Sequence, residues 1–291
     1  MKRIRTVAVL PTLVTLGNLV CGFFAIVVAS RIEAPRSAAI PTATEIQFNT
    51  NPPRIVRQLD REDPTHNLML CGWLIFLAML CDGVDGRVAR LAKASSDFGA
   101  QLDSLGDLVA FGVAPAFLLV KMCPSFSFLH PKQIWIIAAL FAVCAALRLA
   151  RFNVETDEED DHMYFSGLPT PAAAAGIAAF AILSYTLRKE TNLLPYGETI
   201  DLWMQNVLPL FAVLVALLMV SRIPYPHVVN QVLRGQRSFG HVVRLIFALV
   251  AVMVIRGYAV PLICGVFIFG PPVRYGWRLA RDGQAAREPF F

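Results

Sequence analysis

Four aspartates, Asp82, Asp85, Asp103 and Asp107, fall within 26 residues of a chain that is otherwise 56% hydrophobic. The first two are three positions apart and the second two four apart, so on helices each pair shares one face. Between the pairs, "AKASSDF" supplies Ser95, Ser96 and Asp97, any of which can cap a new helix. The two helices then form a tight hairpin on which all four carboxylates converge. Unpaired carboxylates below a membrane surface are costly, and four together repel, so something positive must hold them. Clustered oxygen donors with access to water suit hard divalent cations, Mg²⁺ or Mn²⁺, and four carboxylates can serve two ions. Two such ions about 3.5–4 Å apart are suited to clamping a diphosphate during in-line displacement.

Neighbouring residues fit that chemistry. Gly86, Ala89 and Gly99 are small and lie near the carboxylates, which lets a nucleotide approach the backbone. Arg90, and also Arg87, can contact phosphate oxygens. A plainer alternative has the aspartates pairing with Arg87, Arg90 and Lys93 simply to hold the hairpin together. Four carboxylates against three cations leave charge unbalanced, however, and structural ion pairs have no use for small residues at set spacings.

The elements that must position these residues follow from composition. Mean hydropathy is +0.57 and only 16% of residues are charged, so the chain reads as an all-α polytopic membrane protein. Apolar windows predict helices near 7–30, 67–91, 98–120, 133–152, 168–187, 203–222, 241–255 and 258–271. We read one integral membrane domain over 1–291, with a core over about 7–222, a polar insert at 31–66 and a C-terminal hydrophobic pair over about 241–271. That last pair is short and is split by Arg256 and Gly257, so it is either two spans or one broken hairpin that dips into the membrane. "MKRIR" before an apolar run mimics a signal peptide, but the run reaches about Ser30 and is read as a retained first helix. The insert is expected to be a loop or short surface helix, and "ETDEED" with Asp161 a solvated turn.

With the N-terminus cytoplasmic, most Lys and Arg, including Arg87, Arg90, Arg148, Arg151, Arg274, Arg278 and Arg281, fall on the cytoplasmic side. The aspartate hairpin then faces the cytoplasm, and the insert 31–66 faces the opposite side. The net charge of +5 follows this topology rather than a basic stripe, so nucleic acid is not an expected partner. Six scattered cysteines lack metal-ligand spacing, the five histidines are unpaired, and no Walker or GxGxxG loop occurs.

The pattern Asp82-x2-Asp85-Gly86-x2-Ala89-Arg90-x8-Gly99-x3-Asp103-x3-Asp107 resembles the signature of the CDP-alcohol phosphotransferases, with eight defined positions matching. The resemblance implies a six-helix membrane core, a homodimer among membrane lipids, and transfer of a phosphoalcohol group from a CDP-linked donor to an alcohol with release of CMP. It makes Asp82, Asp85 and Asp103 metal ligands, and Asp107 both ligand and general base. "LPTLVTLGNLVCGFFAI" at 10–26, "DSLGDLVAFGVAPA" at 103–116, "RLARFN" at 148–153 and "FSGLPTPAAAA" at 165–175 look like segments of the family's membrane-embedded, serine-using subgroup. That likeness implies CDP-diacylglycerol and L-serine as substrates, with the serine hydroxyl attacking the β-phosphorus.

Serine is a zwitterion and calls for a cation. Arg148 and Arg151 are candidates for its carboxylate or for lipid phosphate, with Asn153 as a neutral partner, and membrane anchoring explains the two arginines equally well. "GLPTPAAAAG" opens the fifth predicted helix with prolines and small residues, which permit close helix packing. Two rival readings remain. A sister transferase using glycerol phosphate or inositol phosphate would need more basic residues beside the site. A divalent-cation transporter would spread its acidic residues across the membrane depth.

Overall fold

Runs of some twenty apolar residues can satisfy their backbone groups inside a bilayer only as helices. The computed structural model, which describes residues 9–32, 64–92, 97–123, 126, 132–155, 164–189, 196–226 and 256–282, is built accordingly. Its helices are α1 (Val9–Ser30), α2 (Pro64–Ala92), α3 (Asp97–Asp107), α4 (Ala114–Met122), α5 (Gln133–Glu155), α6 (Thr170–Lys189), α7 (Gly197–Val220) and α8 (Ala259–Asp282). A π-helical turn, Leu108–Val113, joins α3 to α4 in one continuous rod. Six segments among the described residues are long and apolar enough to cross a membrane, and α1 adds a shorter apolar stretch, Thr15–Ser30. The protein is all-α and polytopic, as the composition predicts. The predicted helix at 241–255, most of the insert 31–66 and the acidic loop after Glu155 lie outside the described residues.

α6 sits at the centre. Its opening run of Ala173, Ala174, Ala175, Gly176, Ala178 and Ala179 is buried, and side chains this small let neighbouring helices come close. By contrast, α5 presents Trp135, Ile136, Leu140, Val143 and Leu147 outward, as a lipid-facing helix should. α1 docks against α2, where the Cys71 thiol donates to the Ala25 carbonyl, and against the π turn. That second contact depends on Gly22, because a Cβ there would lie 2.7 Å from the Cα of Ala110. At its far end α1 is capped by Lys121, whose ammonium donates to the carbonyls of Ser30 and Ile32.

The π turn was not expected from the sequence. Its cause is Pro115, which has no N–H for the Phe111 carbonyl and whose ring would collide with that oxygen in a regular helix. The turn ahead of it widens, and the Ala114 N–H donates to Val109, five residues back.

Two further features differ from expectation. A two-stranded antiparallel ribbon pairs β1 (Tyr164–Ser166) with β2 (Pro224–Pro226), pieces too short to carry a period-2 signal. Gly167, at φ +82°, turns the chain out of β1 towards α6, with its N–H on Ile223 and the next N–H, of Leu168, on Leu218. The last helix is longer than the predicted 258–271: α8 runs to Asp282 through Pro271 and Pro272. Prolines and three arginines ended the apolar window early. Pro272 deprives the Ile268 carbonyl of its helical donor, and the buried Tyr225 hydroxyl of β2 supplies one at 3.0 Å. β2 follows the end of α7 and pairs beside the start of α6, whereas Gly257 packs on Thr186 near the other end of α6.

At that other end, Asp201 of α7 is buried and accepts hydrogen bonds from Arg188 Nε, Ser184 Oγ and Gln205 Nε2. This acidic residue, remote from the aspartate hairpin in the fold, is thus neutralised by an ion pair.

Replacing Gly22 with Val forces α1 off the π turn. We expect an overpacking cost of about 1–3 kcal/mol, seen as a lower midpoint for thermal unfolding of the purified protein in detergent. An unchanged midpoint would contradict this packing.

Candidate metal centre

Asp82 reaches the centre from the last turns of α2, and Asp103 and Asp107 from one face of α3. Each offers a carboxylate oxygen, and the three oxygens lie within 4.8 Å of one another at half-buried positions. α2 is helical to Ala92 and α3 begins at Asp97, so the hairpin predicted from the spacing is present. Asp85, Gly86, Ala89 and Arg90 lie on the final turns of α2 and Gly99 on the first turn of α3. The side chains of Asp85, Arg87, Ala89, Arg90 and Asp97, the surroundings of Gly86, and all of Lys93, Ser95 and Ser96 are outside the described residues.

Three surrounding contacts set the geometry. Asn18 of α1, fully buried, donates through Nδ2 to Asp107 Oδ1 at 2.8 Å. Arg148 of α5 is buried, donates through Nη1 to the hydroxyl of Thr170 at 3.2 Å, and lies close enough to Asp107 for the two charges to attract. Asn153, a turn and a half further along α5, donates to Ser104 Oγ at 2.9 Å, and that hydroxyl donates in turn to the Ala100 carbonyl at 3.1 Å. Thus α1 and α5 both hold the turn of α3 that carries Asp103 and Asp107, and the start of α6 holds Arg148 of α5. Arg151 lies between the other two α5 residues in sequence and is half-buried.

Of the residues singled out in the sequence, Asp82, Asp103, Asp107 and Arg148 are brought together. Asn153 is engaged with Ser104 beside them. Asn18, Ser104 and Thr170 were not foreseen. The signal for Asn18 was available: an amide inside the apolar run "LVTLGNLVCGFF" is costly in a membrane segment and usually has a partner. Thr170 and Ser104 carry no such signal, since hydroxyls are common in helices of this kind.

Three carboxylates at this spacing repel and call for positive charge. An all-oxygen donor set fits a hard divalent cation, not a soft metal that would seek thiolate or imidazole. The residues present therefore fit a Mg²⁺- or Mn²⁺-type ion. Asp82→Asn and Asp103→Asn should each weaken Mn²⁺ binding by about tenfold or more, measured by electron paramagnetic resonance of free Mn²⁺. Wild-type affinity in both variants would rule the cluster out as a metal centre.

Residues 8–218 match the family described as CDP-alcohol phosphatidyltransferase. Among curated proteins, the chain is 37% identical over 163 residues to a CDP-diacylglycerol–serine O-phosphatidyltransferase of Helicobacter pylori, covering 56% of this chain and 63% of that one. It is 38% identical over 159 residues to the protein of the same name from Methanocaldococcus jannaschii, covering 55% and 65%. It is 34% identical over 157 residues to archaetidylserine synthase of Methanothermobacter thermautotrophicus, covering 53% and 57%. In each case the match spans less than two thirds of the relative's length.

Proposed function

The chain belongs to the CDP-alcohol phosphatidyltransferase family, and from that membership we propose that it transfers the phosphatidyl group of CDP-diacylglycerol to the hydroxyl of L-serine, giving phosphatidylserine and CMP. The observation that carries this reading is the convergence of Asp82, Asp103 and Asp107 within 4.8 Å beside a buried arginine. The names of the similar proteins, which act on serine or are archaetidylserine synthases, support the choice of acceptor.

In this reading Asp82, Asp85, Asp103 and Asp107 would hold two Mg²⁺ or Mn²⁺ ions. Such ions supply neutralisation of the diphosphate charge and a lowered proton affinity of the attacking hydroxyl. Gly86, Ala89 and Gly99 leave room for the nucleotide, and Arg90 binds its diphosphate. Asp107 takes the proton of the serine hydroxyl as that oxygen attacks the β-phosphorus, the bond to CMP breaks, and CMP leaves. A positioned base of this kind contributes about 10²–10⁴-fold. Arg148 and Arg151 receive the serine carboxylate or the lipid phosphate, with Asn153 as the neutral group at their side. Arg148 suits this role because it is buried, held by the Thr170 hydroxyl, and within electrostatic reach of Asp107. The enzyme works as a homodimer in the cell membrane, surrounded by bilayer lipids, with the site open to the cytoplasm.

The direct test is CMP release from CDP-diacylglycerol by the purified protein, offered L-serine, glycerol 3-phosphate or inositol phosphate in turn. Release with serine alone is expected, and release only with a phosphorylated acceptor would replace this reading with the sister activity. Asp107→Asn should lower turnover about 10²-fold or more while metal-dependent binding of the lipid largely survives. Arg148→Ala should raise KM for serine more than KM for the lipid, and an effect on the lipid alone would move Arg148 to the phosphate. Orientation is tested by a cysteine placed at Thr50 in a cysteine-free background. It should react with an impermeant maleimide from outside the cell, and reaction only from the cytoplasmic side would reverse the topology.

A further inference from the structure

Asn18 is fully buried on α1, in the helix face that rests on α3. Its amide nitrogen donates to Asp107 Oδ1 at 2.8 Å, while its own carbonyl oxygen is buried and has no hydrogen-bond partner among the described residues. An ionised carboxylate can only accept, so the contact also fixes which way the amide faces. Burying an amide with half its hydrogen-bonding capacity unmet is unfavourable, and an apolar side chain of similar volume would pack there at lower cost. Packing of α1 against α3 therefore does not account for an amide at this position. Donation to Asp107 does.

We infer that Asn18 is a positioning residue, holding the Asp107 carboxylate in register with Asp82 and Asp103 so that the three can share a divalent cation. An amide donor on one oxygen selects the side-chain rotamer of Asp107 and leaves the remaining lone pairs directed into the cluster. The close seat of α1 makes this possible. Gly22 lets the same helix approach Ala110 one turn past Gly106, since a Cβ on Gly22 would stand 2.7 Å from the Ala110 Cα, and Gly106 itself lies in ordinary contact distance of the Asn18 amide. The part of the inference that concerns turnover rests on the proposed phosphatidyl transfer, whereas the part that concerns the cation does not.

The test uses the full-length protein in detergent, with Asn18→Leu, Asn18→Ala and Asn18→Gln. Mn²⁺ affinity is read by paramagnetic resonance, folding by gel filtration and thermal unfolding, and turnover by CMP release. Loss of an outer partner of a metal ligand typically costs about 10–100-fold in affinity or activity. We expect that loss in Mn²⁺ affinity for the folded Leu and Ala variants, and a fall in kcat with KM for serine changed by less than about threefold. Asn18→Gln, which keeps the donor, should recover part of both. Folded Leu and Ala variants with wild-type Mn²⁺ affinity and kcat would overturn the inference. Failure of both to fold would also overturn it, by making Asn18 a structural tie. If the wild-type protein binds Mn²⁺ but releases no CMP with serine, the proposed reaction falls and the Mn²⁺ comparison still decides the role of Asn18.

Discussion

Three carboxylates held within 4.8 Å of one another at the edge of an apolar bundle repel. Left alone, such groups separate, protonate or drag water into the membrane boundary. The rest of the structure around α3 reads as the means of preventing that. Only four residues separate the end of α2 at Ala92 from the start of α3 at Asp97, so Asp82 cannot drift far from Asp103 and Asp107. Arg148 brings one positive charge to Asp107, and Asn18 and Asn153 add neutral amide donors to Asp107 and to Ser104. In the reading proposed above, a cation entering this cluster would complete the compensation and would be held by ligands suited to work on a diphosphate.

The supporting elements act at a distance by the same logic. The π turn forced by Pro115 widens the rod just past Asp107. α1 can lie against that turn only because Gly22 lacks a side chain. The ribbon of β1 and β2, with Gly167 at its exit, anchors the segment that leads to Thr170, the hydroxyl on which Arg148 is fastened. At the opposite end of α6, the Arg188–Asp201 pair ties α6 to α7.

Much of this was legible in the sequence, because it depends on local spacing. The i, i+3 and i, i+4 aspartate pairs and the capping residues between them predict the hairpin, and apolar windows locate the helices to within a few residues except at α7 and α8. Alanines and glycines after "GLPTP" announce a buried helix. Other features depend on what meets what across the bundle. The partner of Asn18 is 89 residues away and that of Asn153 is 49 away, and no local pattern encodes either. The full length of α8 was hidden because Pro271 and Pro272 read as breakers, whereas the Tyr225 hydroxyl relieves one of the carbonyls they orphan. The π turn likewise had a visible cause in Pro115, but a proline in an apolar run predicts a kink without specifying its form.

In the proposed reaction Asp82, Asp103 and Asp107 together coordinate the divalent cation that serves the CDP-linked substrate. Crystals of the full chain grown with Mn²⁺ and CDP-diacylglycerol, measured at the manganese absorption edge, test it most directly. An anomalous peak bounded by these three carboxylates is expected, with the diphosphate of the nucleotide against it. Saturating Mn²⁺ that gives no peak there, or a nucleotide bound elsewhere in the bundle, would contradict it.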